Sequence, residues 1–289
     1  MATIEPIDLF HRGSPHVIAS YLVETGDGPA LFDCGPTSTV EALEAGVRER
    51  GLELDEVGHL LLSHIHLDHA GAAGVLVRRN PRLQVHVSEV GAPHLVDPSR
   101  LERSARRIYG EHFDPLWGEL AAVPEENVNV VGDEVLGLAC FPTTGHAYHH
   151  VSYLHEDGTL YAGDAAGVRI APSSHVIPPT PPPDIDVDAW HATIDEIARR
   201  RPERLALIHF GVADGVDRHL GELRERLDTW AGRILAGADE KEFIAAATDD
   251  LDAANVVNRD DYDHAIPFSS SYLGMARWAE KRRGHGEPG

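Results

Sequence analysis

An apolar run, Leu60-Leu61-Leu62, gives way at once to Ser63-His64-Ile65-His66-Leu67-Asp68-His69-Ala70-Gly71, which sets three imidazoles and a carboxylate within six residues. Neutral imidazole and carboxylate are the nitrogen and oxygen donors that suit zinc, iron and manganese, and a turn leaving a strand can aim several of them at one point. The fold must therefore bring this turn to a sheet edge where further donors meet it.

Three later segments supply such donors, each at the end of a strand-like run. Gly145-His146 follows Val135-Leu136-Gly137-Leu138-Ala139-Cys140-Phe141, Gly163-Asp164 closes Thr159-Leu160-Tyr161-Ala162, and His209 closes Leu205-Ala206-Leu207-Ile208. An earlier run, Leu31-Phe32-Asp33-Cys34-Gly35, ends in Asp33. Ligands from distant parts of a chain converge when they lie at strand ends along one edge.

With these elements in this order, the chain resembles the metallo-β-lactamase fold superfamily over roughly residues 15 to 211. The resemblance implies an α/β fold, a four-layer αββα sandwich, with a catalytic core over 1–212 and a C-terminal helical extension over 213–289. It also implies two divalent ions, one held by His64, His66 and His146, the other by Asp68, His69 and His209, with Asp164 bridging them. Asp33 is expected to orient a ligand or the metal-bound water, or else to cap the turn that follows it. His150, four residues after His146, is expected to orient a ligand or to be structural rather than to bind metal.

The chemistry follows from the charge of the ions. Two divalent ions about 3.5–4 Å apart hold a shared water, lower its pKa from about 15.7 toward 7, and polarise the oxygen under attack. No Gly-x-Ser-x-Gly elbow is present to suggest a serine nucleophile. The resemblance thus implies a hydrolase, with zinc as the default metal and iron or manganese as alternatives. It would attack a small ester, thioester or lactone through a metal-bridging hydroxide, with Asp68 and Asp164 in the catalytic set. This places the chain nearer the glyoxalase II and lactonase branch than the true β-lactamases. A phosphodiester hydrolase is the nearest alternative, and an oxidoreductase resembling the mononuclear-iron persulfide dioxygenases is the rival from another class.

A formal net charge of −22 and the lack of a basic stripe exclude nucleic acid as an expected partner and leave a small-molecule substrate. The first residues show no basic segment followed by an apolar core, and no run reaches the ~18 apolar residues of a membrane span. A cytoplasmic address without membrane association is expected. Cys34 and Cys140, both in apolar strand-like surroundings, read as reduced, buried thiols.

Along the chain, residues 16 to 35 predict two strands around a Gly26-Asp27-Gly28 turn, 38 to 50 a helix, and Leu83-Gln84-Val85-His86-Val87 a strand. The metal-motif turn is expected to open a helix near Asp68, whose carboxylate could cap that helix as well as bind metal. Residues 98 to 121 form an apolar-faced helical insertion bordering the cleft, with Tyr109, His112 and Trp117 as candidates for substrate contact or core packing. The proline-rich stretch 171 to 185 is expected to be a rim loop carrying His175, followed by a helix from about Val187 to Arg200. Beyond Gly211 the chain is expected to turn helical. The tail from Pro267 to Arg283 predicts a helix capped by its serines, with Leu273, Ala276 and Ala279 on one face. That helix would pack on its neighbours, border the cleft, or form the interface of a homodimer.

Overall fold

The computed structural model describes residues 4–284. Alternating apolar segments pair into two six-stranded sheets that face each other. The first runs in chain order, β1 (Ile7–Asp8), β2 (Ala19–Thr25), β3 (Gly28–Phe32), β4 (His59–Leu61), β5 (Gln84–Val87) and β6 (Val128–Val130). The second comprises β7 (Glu134–Val135), β8 (Leu138–Pro142), β9 (Val151–Leu154), β10 (Thr159–Gly163), β11 (Arg204–Leu207) and β12 (Gly211–Asp214). β3 to β6 are parallel, and β10 pairs parallel with β11; the remaining pairs are antiparallel. Parallel strands need a crossover between them, and helices supply most of these crossovers.

On the first-sheet side lie α1 (Val40–Glu49), α2 (Leu67–Ala70), α3 (Ala73–Arg79) and α4 (Ala92–Val96), followed by the insertion helices α5 (Ser99–Tyr109) and α6 (Phe113–Trp117). The second half contributes α7 (Val187–Arg200), α8 (Val216–Leu235), α9 (Glu240–Ala253), α10 (Arg259–Ala265) and α11 (Phe268–Gly284). The result is the αββα sandwich with C-terminal helices. Among the described residues no helix is long and apolar enough to cross a membrane.

Between the sheets Tyr21, Phe32, Tyr153 and Tyr161 form a buried aromatic cluster with ring centroids 5.4 to 6.5 Å apart. Buried phenols need partners. The Tyr21 hydroxyl donates to the Leu207 carbonyl (2.7 Å) and the Tyr153 hydroxyl to the Leu62 carbonyl (2.9 Å), each crossing from its own sheet to the other. At the same edge, main-chain bonds from Ala19 N to Ile208 O (2.9 Å) and from Val151 N to Ser63 O (2.8 Å) draw the sheets together.

Four local expectations are corrected. The run Val135 to Phe141 is not one strand: Leu136 and Gly137 take left-handed φ values of 54° and 86° and turn the chain back between β7 and β8. After Gly211 the chain first adds strand β12 and becomes helical only at Val216, so the second sheet extends to Asp214. Asp68 does not cap α2, whose N-terminus has no side-chain cap bond, because its carboxylate is turned toward His209. In α11 the serines sit inside the first turns, and Asp263 accepts the Phe268 N–H (3.0 Å) instead. Its buried face is Phe268, Ser271, Met275, Trp278 and Ala279, while Leu273 points outward.

Cys34 and Cys140 are free and buried, and burial raises both thiol pKa values, that of Cys140 to about 12.

Candidate metal centre

The turn after β4 delivers the motif residues to the edge where the sheets meet. Its shape is set by Asp33, which accepts the Ser63 N–H on Oδ1 (2.7 Å) and the Ser63 hydroxyl on Oδ2 (2.7 Å). Gly163 makes the matching approach from β10. It has a left-handed φ of 54°, and a Cβ there would lie 2.6 Å from both His150 Nε2 and Ser63 Cβ. Glycine alone allows β10 to press Asp164 into the same space.

Three nitrogens form a near-equilateral triangle: His64 Nε2 lies 2.9 Å from His66 Nδ1, and His146 Nε2 lies 3.2 Å and 3.0 Å from these two atoms. Imidazoles at about 2.0–2.1 Å from a tetrahedral ion stand a little over 3 Å apart, so the spacing fits one ion at their centre. A second group joins it. His209 Nε2 and His69 Nε2 lie 3.5 and 3.9 Å from Asp68 Oδ2, and 3.7 and 3.4 Å from Asp164 Oδ1. Asp164 Oδ2 faces the first triangle, 3.2 Å from His146 Nε2, so its two oxygens address the two groups.

His69 Nε2, His209 Nε2 and Asp164 Oδ1 are all buried without a hydrogen-bond partner. Orphaned buried polar atoms are rare and need an explanation. Here all three point at one spot together with Asp68, which is what a cation would satisfy. The residues therefore fit a divalent ion in each group.

The far side of four of the imidazoles is held. His69 Nδ1 lies 2.7 Å from Asp33 Oδ2, His64 Nδ1 2.9 Å from Ser63 Oγ, His146 Nδ1 2.8 Å from the Pro179 carbonyl and His209 Nδ1 2.6 Å from the Val17 carbonyl. With the proton on Nδ1, the Nε2 lone pair faces inward. His150 is not a ligand. Its Nε2 accepts the Asp164 N–H (3.1 Å), so Nδ1 carries the proton and donates to Thr143 Oγ1 (2.8 Å), fixing the Asp164 backbone from behind.

Electrostatics divide the centre into two halves. Burial, reinforced by neighbouring imidazoles, pushes His64 and His66 well below the usual histidine pKa, which leaves them neutral donors. Burial acts the same way on His69, but Asp164, Asp68 and Asp33 outweigh it and raise the pKa well above 6.5. Burial would raise Asp164, but His69, His146 and His209 hold it well below the usual carboxylate range. This half is an acid-rich pocket that demands positive charge, from a proton or a metal.

The open side is a cleft of about 230 Å³ that reaches His66, Asp68 and Asp164. Its walls are largely apolar, from Leu67, the insertion residues Tyr109 and Trp117, Pro181 to Pro183, and Ile266 with Pro267 ahead of α11. Tyr109 and Trp117 thus face the cleft while packing on the small core of Leu67, Ala105 and Phe113. The Tyr109 phenol is raised to about 12 by burial and by Asp68, so it is a neutral donor. Two candidates are corrected: His112 is exposed and does not line the cleft, and His175 is turned away from it toward Tyr262, whose hydroxyl donates to the His175 carbonyl (2.7 Å). His11, Arg12 and His264 also line the cleft, and no sequence motif marks them.

Two facing mixed sheets with a histidine and aspartate cluster at their shared edge define a class of α/β metal-site proteins. The chain belongs to the metallo-beta-lactamase superfamily, whose family profile matches residues 13–209. Members of that superfamily are mostly metal-dependent hydrolases. The metallo-beta-lactamase fold-containing protein ST1585 of Sulfurisphaera tokodaii is 28% identical over 204 residues, 66% of this chain and 76% of that protein. Among solved structures, the metallo-beta-lactamase family protein TTHA1429 of Thermus thermophilus aligns with a TM-score of 0.68 at 21% identity, covering 99% of this chain and 94% of that one. TTHA1623, solved in a di-iron-bound form, aligns with a TM-score of 0.52 at 26% identity over 71% of this chain and 91% of its own.

Proposed function

We propose that the protein is a binuclear metal-dependent hydrolase acting on a small ester, thioester or lactone. The observation that carries this reading is the set of three orphaned buried atoms, His69 Nε2, His209 Nε2 and Asp164 Oδ1, beside the complete His64, His66 and His146 triangle. Two ions would then be held by seven side chains, with Asp164 within reach of both groups. The di-iron form of TTHA1623 supports a two-metal capacity in this fold. Zinc remains the default, with iron or manganese as alternatives.

Divalent ions bound here supply a nucleophilic hydroxide at neutral pH and polarise the oxygen under attack. Asp33, the Pro179 carbonyl and the Val17 carbonyl fix the tautomers that face the site. His150 holds the bridging carboxylate in register through the Asp164 N–H. The apolar walls exclude bulk water and seat the body of the substrate, and the neutral Tyr109 hydroxyl is available as a hydrogen-bond donor beside Asp68.

A net charge of −22 supports a small-molecule substrate over nucleic acid, and the buried thiols support a reducing, cytoplasmic setting. The test is elemental analysis after removal of loosely bound metal, combined with a panel of aryl esters, thioesters, lactones and phosphodiesters. Two ions per chain with turnover of an ester-type substrate is the expected result. A reproducible single iron per chain with oxygen uptake replaces this reading with the dioxygenase one.

A further inference from the structure

A second, smaller cavity of about 70 Å³ adjoins the cleft and shares His11, Arg12, Val17 and His264 with it; Ser14 completes its lining. Three of these five residues are basic, one is a hydroxyl, and none is acidic. That composition is unexpected on a chain with 47 acidic residues against 25 Lys and Arg. Among the described residues, Arg12 is also the only Lys or Arg lining the main cleft.

The loop that presents these groups is pinned. Asp8 accepts the Phe10 N–H on Oδ1 (3.0 Å) and the His16 N–H on Oδ2 (2.8 Å), clasping both ends. Inside the clasp, Phe10, Arg12 and His16 have left-handed φ values of 48°, 58° and 62°. Side chains other than glycine rarely adopt this conformation, and its cost is met where the surroundings impose it. His11 is thereby turned inward, 5% exposed, with its ring stacked on Trp117 at 5.5 Å and its Nδ1 buried without a partner. An imidazole nitrogen without a partner, which donates in its Nδ1–H tautomer, an arginine and a serine hydroxyl thus surround one small cavity.

We infer that this side cavity is an anion subsite that takes a substrate carboxylate, with Arg12 as the charge partner and His11, His264 and Ser14 as hydrogen-bonding walls. The inference deepens the hydrolase reading and rests on it for the reaction, since it assigns to the substrate an apolar body and a carboxylate remote from the bond attacked. A carboxylate suits the site better than a dianion. Arg12 supplies the one guanidinium charge of the lining, which a single carboxylate matches.

The test reads binding, so it does not depend on turnover. Calorimetric titration with 4-phenylbutyrate and with its neutral analogue 4-phenylbutanamide measures the preference for the acid, in metal-loaded and in chelator-treated protein. We expect the acid to bind about five- to ten-fold more tightly in both forms, a ratio in keeping with a charge-assisted arginine pair. Arg12→Gln should bring the ratio close to one, and Arg12→Lys should retain part of it. Arg12 is exposed, so the variants keep the core, and matched melting curves check this. Equal binding of acid and amide to the unmodified protein overturns the inference. So does a preference that survives Arg12→Gln, or one that disappears with the metal while Arg12 is intact. In each of these cases the two-ion hydrolase reading is untouched, since metal content and ester turnover decide it separately.

Discussion

His150 Nε2 accepts the main-chain N–H of Asp164 at 3.1 Å, so a side chain just ahead of β9 fixes the backbone of a proposed bridging ligand just after β10. His150→Ala strands that buried N–H and removes one of the two partners of the Thr143 hydroxyl, which lies 2.8 Å from His150 Nδ1 and keeps Ser152 Oγ at 2.8 Å. The stranded N–H costs about 1–3 kcal/mol. Loss of a partner behind a ligand weakens metal binding roughly ten- to a hundred-fold. Denaturant melts and competitive metal titration read the two effects. Unchanged metal affinity in a folded variant would limit His150 to a role in stability.

Asp33→Asn should separate the two ions. The Asp33 carboxylate holds the Nδ1 proton of His69 and both donors of Ser63. An amide presents a donor to one of them and frees His69 to take the opposite tautomer, removing the lone pair that faces Asp68. The expected outcome is one ion per chain by elemental analysis, retained at His64, His66 and His146, with turnover reduced. Two tightly held ions would refute this assignment.

Gly274 couples the C-terminal helix to the rim of the cleft. A Cβ at this position would lie 2.0 Å from the Thr180 carbonyl, and the Thr180 hydroxyl donates to the Ser271 carbonyl (3.2 Å) in the same contact. Gly274→Val therefore forces α11 away from the proline-rich segment, at about 1–3 kcal/mol. Because Pro181 to Pro183 and Ser270 line the cleft, KM should rise while metal content stays constant. A stability loss with an unchanged KM would show that the rim keeps its position without the helix.

His219, on α8, introduces acid sensitivity without belonging to the candidate ligand set. Burial lowers its pKa to about 4, against the opposing hydrogen bond to the Ala166 carbonyl, and its Nδ1 has no partner. Above the unfolded pKa of 6.5, neither the folded nor the unfolded chain carries the proton. As pH falls from 6.5 toward 4, the unfolded chain binds a proton that the folded chain refuses, and stability drops by about 3 kcal/mol in total. His219→Gln should flatten this part of the profile of urea midpoint against pH. Parallel profiles for the two proteins would count against His219 as the source.

Much of the centre is legible in the sequence because it is local. Ser63 to Gly71 states its donors in one turn, and Asp33, His146, Asp164 and His209 each follow an apolar run that ends at the same sheet edge. The remainder depends on contacts with no local trace. Nothing near His11 announces Trp117 as its stacking partner, and nothing near His175 shows that Tyr262 will hold its carbonyl away from the cleft. The Leu136-Gly137 turn is hidden because a leucine in a left-handed conformation looks like any other residue of an apolar strand. The outer face of α11 is obscured for a related reason: small and large apolar residues alternate there, and which of them is covered depends on where α8 and α9 lie.

The crossed tyrosines bear on how such a scaffold accommodates change. Tyr153 grips the carbonyl just before Ser63, and Tyr21 grips one two residues before His209, so the interior of the sandwich sets the height of both ligand-bearing turns. The outer walls of the cleft come instead from the His11-Arg12 loop, the insertion helices, the proline-rich segment and the approach to α11, none of which contributes to that clamp. Selection on those outer segments can redraw what reaches the candidate metal centre while the distances between its histidines and aspartates stay fixed. In this protein, new specificity and retained chemistry are problems for different parts of the chain.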